Sequence, residues 1–155
     1  MDRCYGKTNN ADGKEMTPAE AARELKAKGI SWVFVSDQNT GEGSSREQAA
    51  ICPRWLGCKV VITRSFARIH QSNLKKQGIL PMTFANPADY DLIEQGDSIT
   101  VNGLANLTPG KPVSVTITHT DGSTANITCN HTMNAEQIGW FKAGSALNAL
   151  NKKAA

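Results

Sequence analysis

Apolar positions along the chain follow two regimes. Between residues 17 and 93, short apolar runs alternate with segments of helical spacing. Ile30-Ser31-Trp32-Val33-Phe34-Val35 and Cys58 to Thr63 carry apolar side chains on both faces, which predicts strands buried on both sides in a mainly parallel sheet. Leu80 to Phe84 predicts a third strand. A helix is predicted from Thr17 to about Lys28, with Thr17 as cap, Pro18 in the first turn, Glu20 closing a capping box and Gly29 as stop. Ser44 and Glu47 have the same capping-box spacing and predict a second helix, limited to about two turns by Pro53. Ser65 to Gln77 predicts a third, ended by Gly78, with Phe66, Ile69 and Leu74 on its apolar face. Asn86-Pro87 opens a short one through Ile93.

The second regime begins near residue 98 and alternates with a period of two. Ser98 to Val101, Val113 to Thr118 and Thr124 to Cys129 read as antiparallel strands, the last two joined at the turn pair Asp121-Gly122. Asn134 to Leu150 predicts one terminal helix. The polar residues 1–15 read as a loop or a ragged start. The predicted order is αβαβαβα, three antiparallel strands, then a helix.

Composition narrows the function classes. The chain has 155 residues, 39% hydrophobic and 20% charged, which fits one folded domain. No run of 18 apolar residues predicts a transmembrane helix, and no apolar core region marks a signal peptide at the N-terminus. A net charge of +3 without a dense Lys/Arg cluster gives no reason to expect nucleic acid, and no membrane partner is expected either. Cys4, Cys52, Cys58 and Cys129 are scattered, without CxxC spacing, and read as reduced thiols. With His70, His119 and His131 they form no metal-ligand spacing, so no metal is expected on this chain. Asn106, Asn126 and Asn130 head glycosylation sequons that read as chance matches.

The segment with the most chemistry is Gly41-Glu42-Gly43-Ser44-Ser45-Arg46-Glu47. It follows a buried strand and opens a helix, the edge where open α/β sheets bind ligands. Two glycines allow close backbone approach. A helix start offers free N–H groups and a positive dipole end. Arg46 can hold a carboxylate in two parallel bonds, and Ser44 and Ser45 add hydroxyls. A carboxylate or phosphate site is the local reading. Ser44 could also act as a base, if backbone N–H groups stabilise its alkoxide; a plain N-cap with a surface arginine is the competing reading. Elsewhere, His70 reads as a partly buried structural histidine, His119 and His131 as exposed, Lys75-Lys76 as a solvated face, and Arg64-Ser65 as a helix cap near the same edge.

Over roughly residues 29–150 the sequence resembles the C-terminal swivel domain of aconitases, closest to the mitochondrial type. The resemblance is carried by GEGSSREQAA (41–50), ITRSFARIHQSNLKKQGILP (62–81), FANPADY (84–90), TPGKP (108–112), NHTMN (130–134) and QIGWFKAGSALN (137–148). Residues 1–16 match poorly, which leaves 17–155 as the expected swivel domain. The resemblance implies an α/β fold: a swivelling β/β/α domain with a mainly parallel sheet and an antiparallel addition.

It also implies a function. Aconitases are hydro-lyases that interconvert citrate and isocitrate through cis-aconitate, using a [4Fe-4S] cluster. In that family the first serine of Ser-Ser-Arg is the catalytic base, which places the role on Ser44; Ser45 and Arg46 would bind substrate. The cluster cysteines, the acids for the leaving hydroxyl and a further substrate arginine belong to upstream domains. The chain is therefore expected to bind no cofactor itself. It would work beside cluster-bearing aconitase domains 1–3 or a large subunit, on a tricarboxylate, and be inactive alone as a fragment or subunit. A mitochondrial matrix location is implied, with the cytoplasm as alternative. Gln48 stands where the mitochondrial type often has His and homoaconitases often have Gln, so homocitrate is an alternative substrate. Two other readings are a small subunit of a two-chain hydro-lyase such as isopropylmalate isomerase, and a non-catalytic module that binds a polycarboxylate or a partner protein.

Overall fold

The computed structural model of the chain describes residues 7–10 and 12–154; Cys4 lies outside them. A small antiparallel pair, β1 (Thr8–Asn9) and β2 (Glu15–Met16), precedes α1 (Pro18–Ala27). Then follow β3 (Trp32–Ser36), α2 (Gln48–Trp55), β4 (Cys58–Thr63), α3 (Arg68–Lys76) and β5 (Leu80–Phe84). A 3-10 helix (Pro87–Leu92) leads to β6 (Ser98–Val101), β7 (Val113–Thr118) and β8 (Thr124–Asn130). The chain ends in α4 (Ala135–Ala143) and α5 (Ala146–Ala154).

One six-stranded sheet runs β3-β4-β5-β8-β7-β6. β3, β4 and β5 are parallel, and β8, β7 and β6 continue the same sheet antiparallel. The antiparallel addition is thus as wide as the parallel part. The two parts meet through only two residue pairs, Thr83↔Asn130 and Phe84↔Cys129.

Alternation along β4 divides the core. Val60 and Ile62 join Leu80, Met82, Val115, Ile117, Ile127 and Cys129 in a large cluster on one face. Val61 joins Ala50, Cys58, Leu74 and Ile79 on the other. Burial on both faces is what a parallel strand under covering helices requires.

Local chemistry sets several boundaries. The Thr17–Glu20 capping box forms as expected. Asn86 caps Ala88 at the start of the 3-10 helix, and Asn134 with Gln137 forms a second capping box at α4. The terminal helix is two helices, not one, because Gly144 takes φ +96° and ends α4. The second helix starts at Gln48, after Glu47, and the expected Ser44–Glu47 box does not form. There the Arg46 side chain folds back, its Nε donating to Gly43 O at 2.9 Å, and residues 43–46 stay outside the helix.

The buried face of α3 also differs from expectation. Ile69 is half exposed, while His70, Leu74 and Lys75 are buried. Lys75 is no solvated residue: its Nζ donates to Thr132 O and Thr132 Oγ1, both at 2.8 Å. His131 is buried rather than exposed, its Nδ1 accepting from Met133 N at 3.2 Å. His119 is partly covered and pairs with Asp97 at 3.0 Å. Ser65 does not cap α3, whose N-cap is Ala67; its Oγ instead accepts from Asn39 N at 2.9 Å.

Candidate functional site

Residues 37–47 run from the C-terminal end of β3 to α2, at the edge of the parallel strands. A hydroxyl relay pins the base of this loop. Ser36 Oγ meets Thr40 Oγ1 at 2.7 Å, Thr40 Oγ1 meets Thr63 Oγ1 at 2.8 Å, and Thr63 Oγ1 donates to Asp37 O. Thr63 Oγ1 also faces Ser65 O at 3.1 Å and Thr40 Oγ1 faces Asp37 O at 3.4 Å, so either oxygen of each hydroxyl pair can donate. The backbone adds Thr40 N→Ser65 O at 3.0 Å and Ala67 N→Thr40 O at 2.9 Å.

Arg64, just past the end of β4, ties the same edge together. Its Nη1 reaches Asp37 Oδ1 at 3.2 Å, its Nη2 reaches Asp91 Oδ2 at 3.0 Å, and its Nε donates to Pro87 O at 2.9 Å. The guanidinium also lies over the Tyr90 ring, 4.6 Å from its centre.

The loop crest carries the three expected site residues side by side. Ser44 and Ser45 are exposed, and neither hydroxyl has a hydrogen-bond partner among the described residues. Arg46 spends Nε on Gly43 O, which leaves its terminal nitrogens without a carboxylate partner there. The first turn toward α2 is closed by Ala49 N→Ser45 O at 3.1 Å and Ala50 N→Glu47 O at 3.0 Å. The N–H groups of Arg46, Glu47 and Gln48 thus remain outside the backbone ladder. Hydroxyls, a guanidinium and free amides at a helix start form a set suited to an anion.

The loop glycines serve different ends. Gly41 takes φ +92°, and a Cβ there would stand 2.1 Å from His70 Cγ. Its missing side chain admits the histidine ring rather than a ligand. Gly43 has open space around it and remains free for close approach.

His70 is buried, as a structural histidine was expected to be, and more deeply than expected. It is 5% exposed, lies 6.5 Å from the Phe66 ring between centres, and its Nδ1 has no hydrogen-bond partner among the described residues. Burial pushes its pKa down, and the Arg46 backbone opposes that shift. The usable signal was its i,i+4 spacing to Leu74, which marks the buried face of α3. A cavity of about 590 Å³ borders Thr40, Gly41 and His70 and extends between α1 and α2 over β3, along Trp32, Phe34 and Cys52. Its lining is mostly apolar and leaves out Ser44, Ser45 and Arg46, so the anion-binding groups lie on the open edge beside it.

The thiols do not fit an iron-sulfur cluster. Cys58 and Cys129 lie in core clusters on opposite faces of the sheet, with burial pushing them up to about 11 and about 12. A cluster ligand must be a thiolate, which those sites oppose. Cys52 is exposed, and no group of three His, Cys, Asp or Glu side chains among the described residues could hold a metal.

Known proteins place the chain clearly. The family model described as aconitase C-terminal domain matches residues 2–87. The chain is 56% identical over 142 residues to the mitochondrial aconitate hydratase of Gracilaria gracilis, covering 92% of this chain and 18% of that protein. It is 54% identical over 131 residues to the mitochondrial enzyme of Saccharomyces cerevisiae, covering 84% of this chain and 17% of that protein. The chain thus spans less than a fifth of these relatives. The crystal structure of 3-isopropylmalate dehydratase from Methanocaldococcus jannaschii superposes with a TM-score of 0.56 at 28% identity, covering 90% of this chain and 80% of that one. With the sheet, the loop and the matched residues in agreement, the chain belongs to the aconitase C-terminal domain family.

Proposed function

We propose that this chain is the part of an aconitate hydratase that removes the carbon-bound proton and holds a substrate carboxylate. The observation that carries the reading is the loop crest, where Ser44, Ser45 and Arg46 stand together without internal partners, beside free amides at the start of α2. Arg46 uses its terminal nitrogens on a carboxylate, and Ser45 donates a further hydrogen bond. Ser44, which is exposed, gives its hydroxyl proton to solvent water as substrate seats, and the amides beside it stabilise the alkoxide. The alkoxide then takes the proton from the substrate carbon. The electron pair of that C–H bond becomes the new C=C bond as the hydroxyl leaves the neighbouring carbon. That hydroxyl takes its proton from groups outside this chain.

The chain supplies one side of the site only. The [4Fe-4S] cluster of an aconitate hydratase belongs to the complementary domains, and the chain alone does not turn over citrate. The mitochondrial names of the relatives support the mitochondrial matrix as its location. The test combines the purified chain with a cluster-bearing aconitase core that lacks this domain. Citrate-dependent activity should return with the native chain and fail with Ser44→Ala. Recovery undiminished by Ser44→Ala overturns the role of that serine, and no recovery overturns the reading. A second reading, the small subunit of a two-chain hydro-lyase, draws on the 80% coverage of the dehydratase structure against 18% of the Gracilaria enzyme. Restored turnover of isopropylmalate rather than citrate, in the presence of a large subunit, would favour it.

A further inference from the structure

Ser44 and Ser45 are exposed and Arg46 is only partly covered, yet base chemistry needs them in one place. The anchors of the loop lie at its ends. Thr40 is bonded to Ser65 and Ala67 on one side, and Ser45 and Glu47 accept from Ala49 and Ala50 on the other. Between these ends, Gly41 to Ser44 has no backbone hydrogen bond in or out, and its side-chain tie is Arg46 Nε to Gly43 O. What remains to fix the height and tilt of this span is contact with the body of the domain.

His70 provides that contact. Its ring fills the place of a side chain at Gly41, since a Cβ there would lie 2.1 Å from Cγ, 2.3 Å from Cβ and 2.3 Å from Cδ2. The ring is nearly fully buried, on a helix whose Leu74 is wholly inside the core. It is therefore a rigid stop and not a swinging side chain. The Arg46 backbone also acts on the ring, raising its pKa against the effect of burial, so that limb of the loop lies beside it as well. The partnerless Nδ1 shows that this placement was not set by satisfying both ring nitrogens within the domain.

We propose that His70 is a positioning residue: its ring, wedged between Gly41 and the Arg46 limb, fixes the loop so that Ser44, Ser45 and Arg46 face substrate as one unit. This rests on the hydro-lyase reading for what the loop does, and on the geometry alone for how the loop is held.

The test separates the two. Backbone order parameters are measured by nuclear magnetic resonance on the 155-residue chain. Native Ser44, Ser45 and Arg46 amides should lie near the rigid value of about 0.85, and His70→Ala should drop them below about 0.6 while β4 and β5 stay rigid. His70→Phe, which restores a ring, should restore the order. If His70→Ala does not fold, Gly41→Ala approaches the same contact from the loop side and should produce the same local loss. In enzyme reconstituted with the cluster-bearing core, His70→Ala should lower kcat about tenfold to a hundredfold, with recovery in His70→Phe. Order parameters at Ser44 to Arg46 that ignore both His70→Ala and Gly41→Ala overturn the proposal, even if citrate turnover is recovered. A loop that responds as stated in a chain that restores no turnover keeps the positioning and overturns the hydro-lyase reading.

Discussion

Gly78 stands where α3 ends and the α4–α5 junction arrives, and replacing it with alanine should be costly for two separable reasons. Its φ is +69°, a left-handed conformation that costs an L-residue about 1–2 kcal/mol. The new methyl would also stand 2.2 Å from Gly144 O and 2.5 Å from Gly144 C, both backbone atoms that cannot swing aside. Separating the two segments breaks the clamp of Arg54, whose Nε donates to Gln77 O at 2.9 Å and whose Nη2 donates to Gly144 O at 2.8 Å. Hydrogen bonds from a charged donor contribute about 1.5–3 kcal/mol. The sum is about 2.5–5 kcal/mol, or a Tm lowered by about 5–20 °C for a chain of this size. Gly103→Ala is the control: its φ is +71°, nearly the same, but nothing lies within 4 Å of the added methyl. Thermal unfolding followed by circular dichroism should show Gly78→Ala losing clearly more than Gly103→Ala. Equal losses in the two variants would refute the packing argument and leave only the backbone cost.

Thiol reactivity should split by burial. Iodoacetamide at pH 8 should modify Cys52 in the native chain while Cys58 and Cys129 stay unmodified, as read by peptide mass spectrometry; rapid labelling of either buried thiol would contradict the core assignment. The same groups give a basic limb to stability. From about pH 9 the unfolded chain releases thiol protons that the folded chain holds to about 11 at Cys58 and about 12 at Cys129, so stability falls as pH rises through that window. On the acid side, burial lowers the pKa of both His70 and His131 below the usual 6.5, so the unfolded chain takes up protons first and stability falls as pH drops below that value. Urea midpoints that stay flat from pH 7 to pH 5 would contradict this. Arg64→Lys should lower Tm by about 2–8 °C, because one ammonium cannot meet Asp37, Asp91, Pro87 O and the Tyr90 face together. Scanning calorimetry that finds no change would remove Arg64 from the list of edge anchors.

Strand positions were legible because burial writes itself into local pattern. β4, β5, β6 and β7 fall on the predicted residues, and the Thr17 box lies where its spacing put it. Helix ends were less legible. Ser44 and Glu47 have capping spacing, but the fold of Arg46 onto Gly43 and the stop at Gly41 bend the chain before a helix can begin. Gly144 was an ordinary small residue in the pattern until its positive φ split the terminal helix. The chemistry of the loop crest was readable from composition. Its anchoring was not, because the partners are remote in sequence: Thr40 with Thr63, Gly41 with His70, and Asp37 with Arg64. Lys75 misled for a similar reason, since its acceptor Thr132 lies 57 residues away.

The two-pair seam between β5 and β8 divides the domain into halves with different folding problems. The β7–β8 hairpin closes through a tight turn at Asp121-Gly122 and can form from local contacts alone. β3 and β4 pair only once the α2 crossover has closed, and β4 and β5 only once the α3 crossover has. Every residue assigned to the loop and its anchors except Pro87, Tyr90 and Asp91 lies before the seam. The loop edge therefore belongs to the half whose strands pair across crossovers, and the hairpin half can form without it.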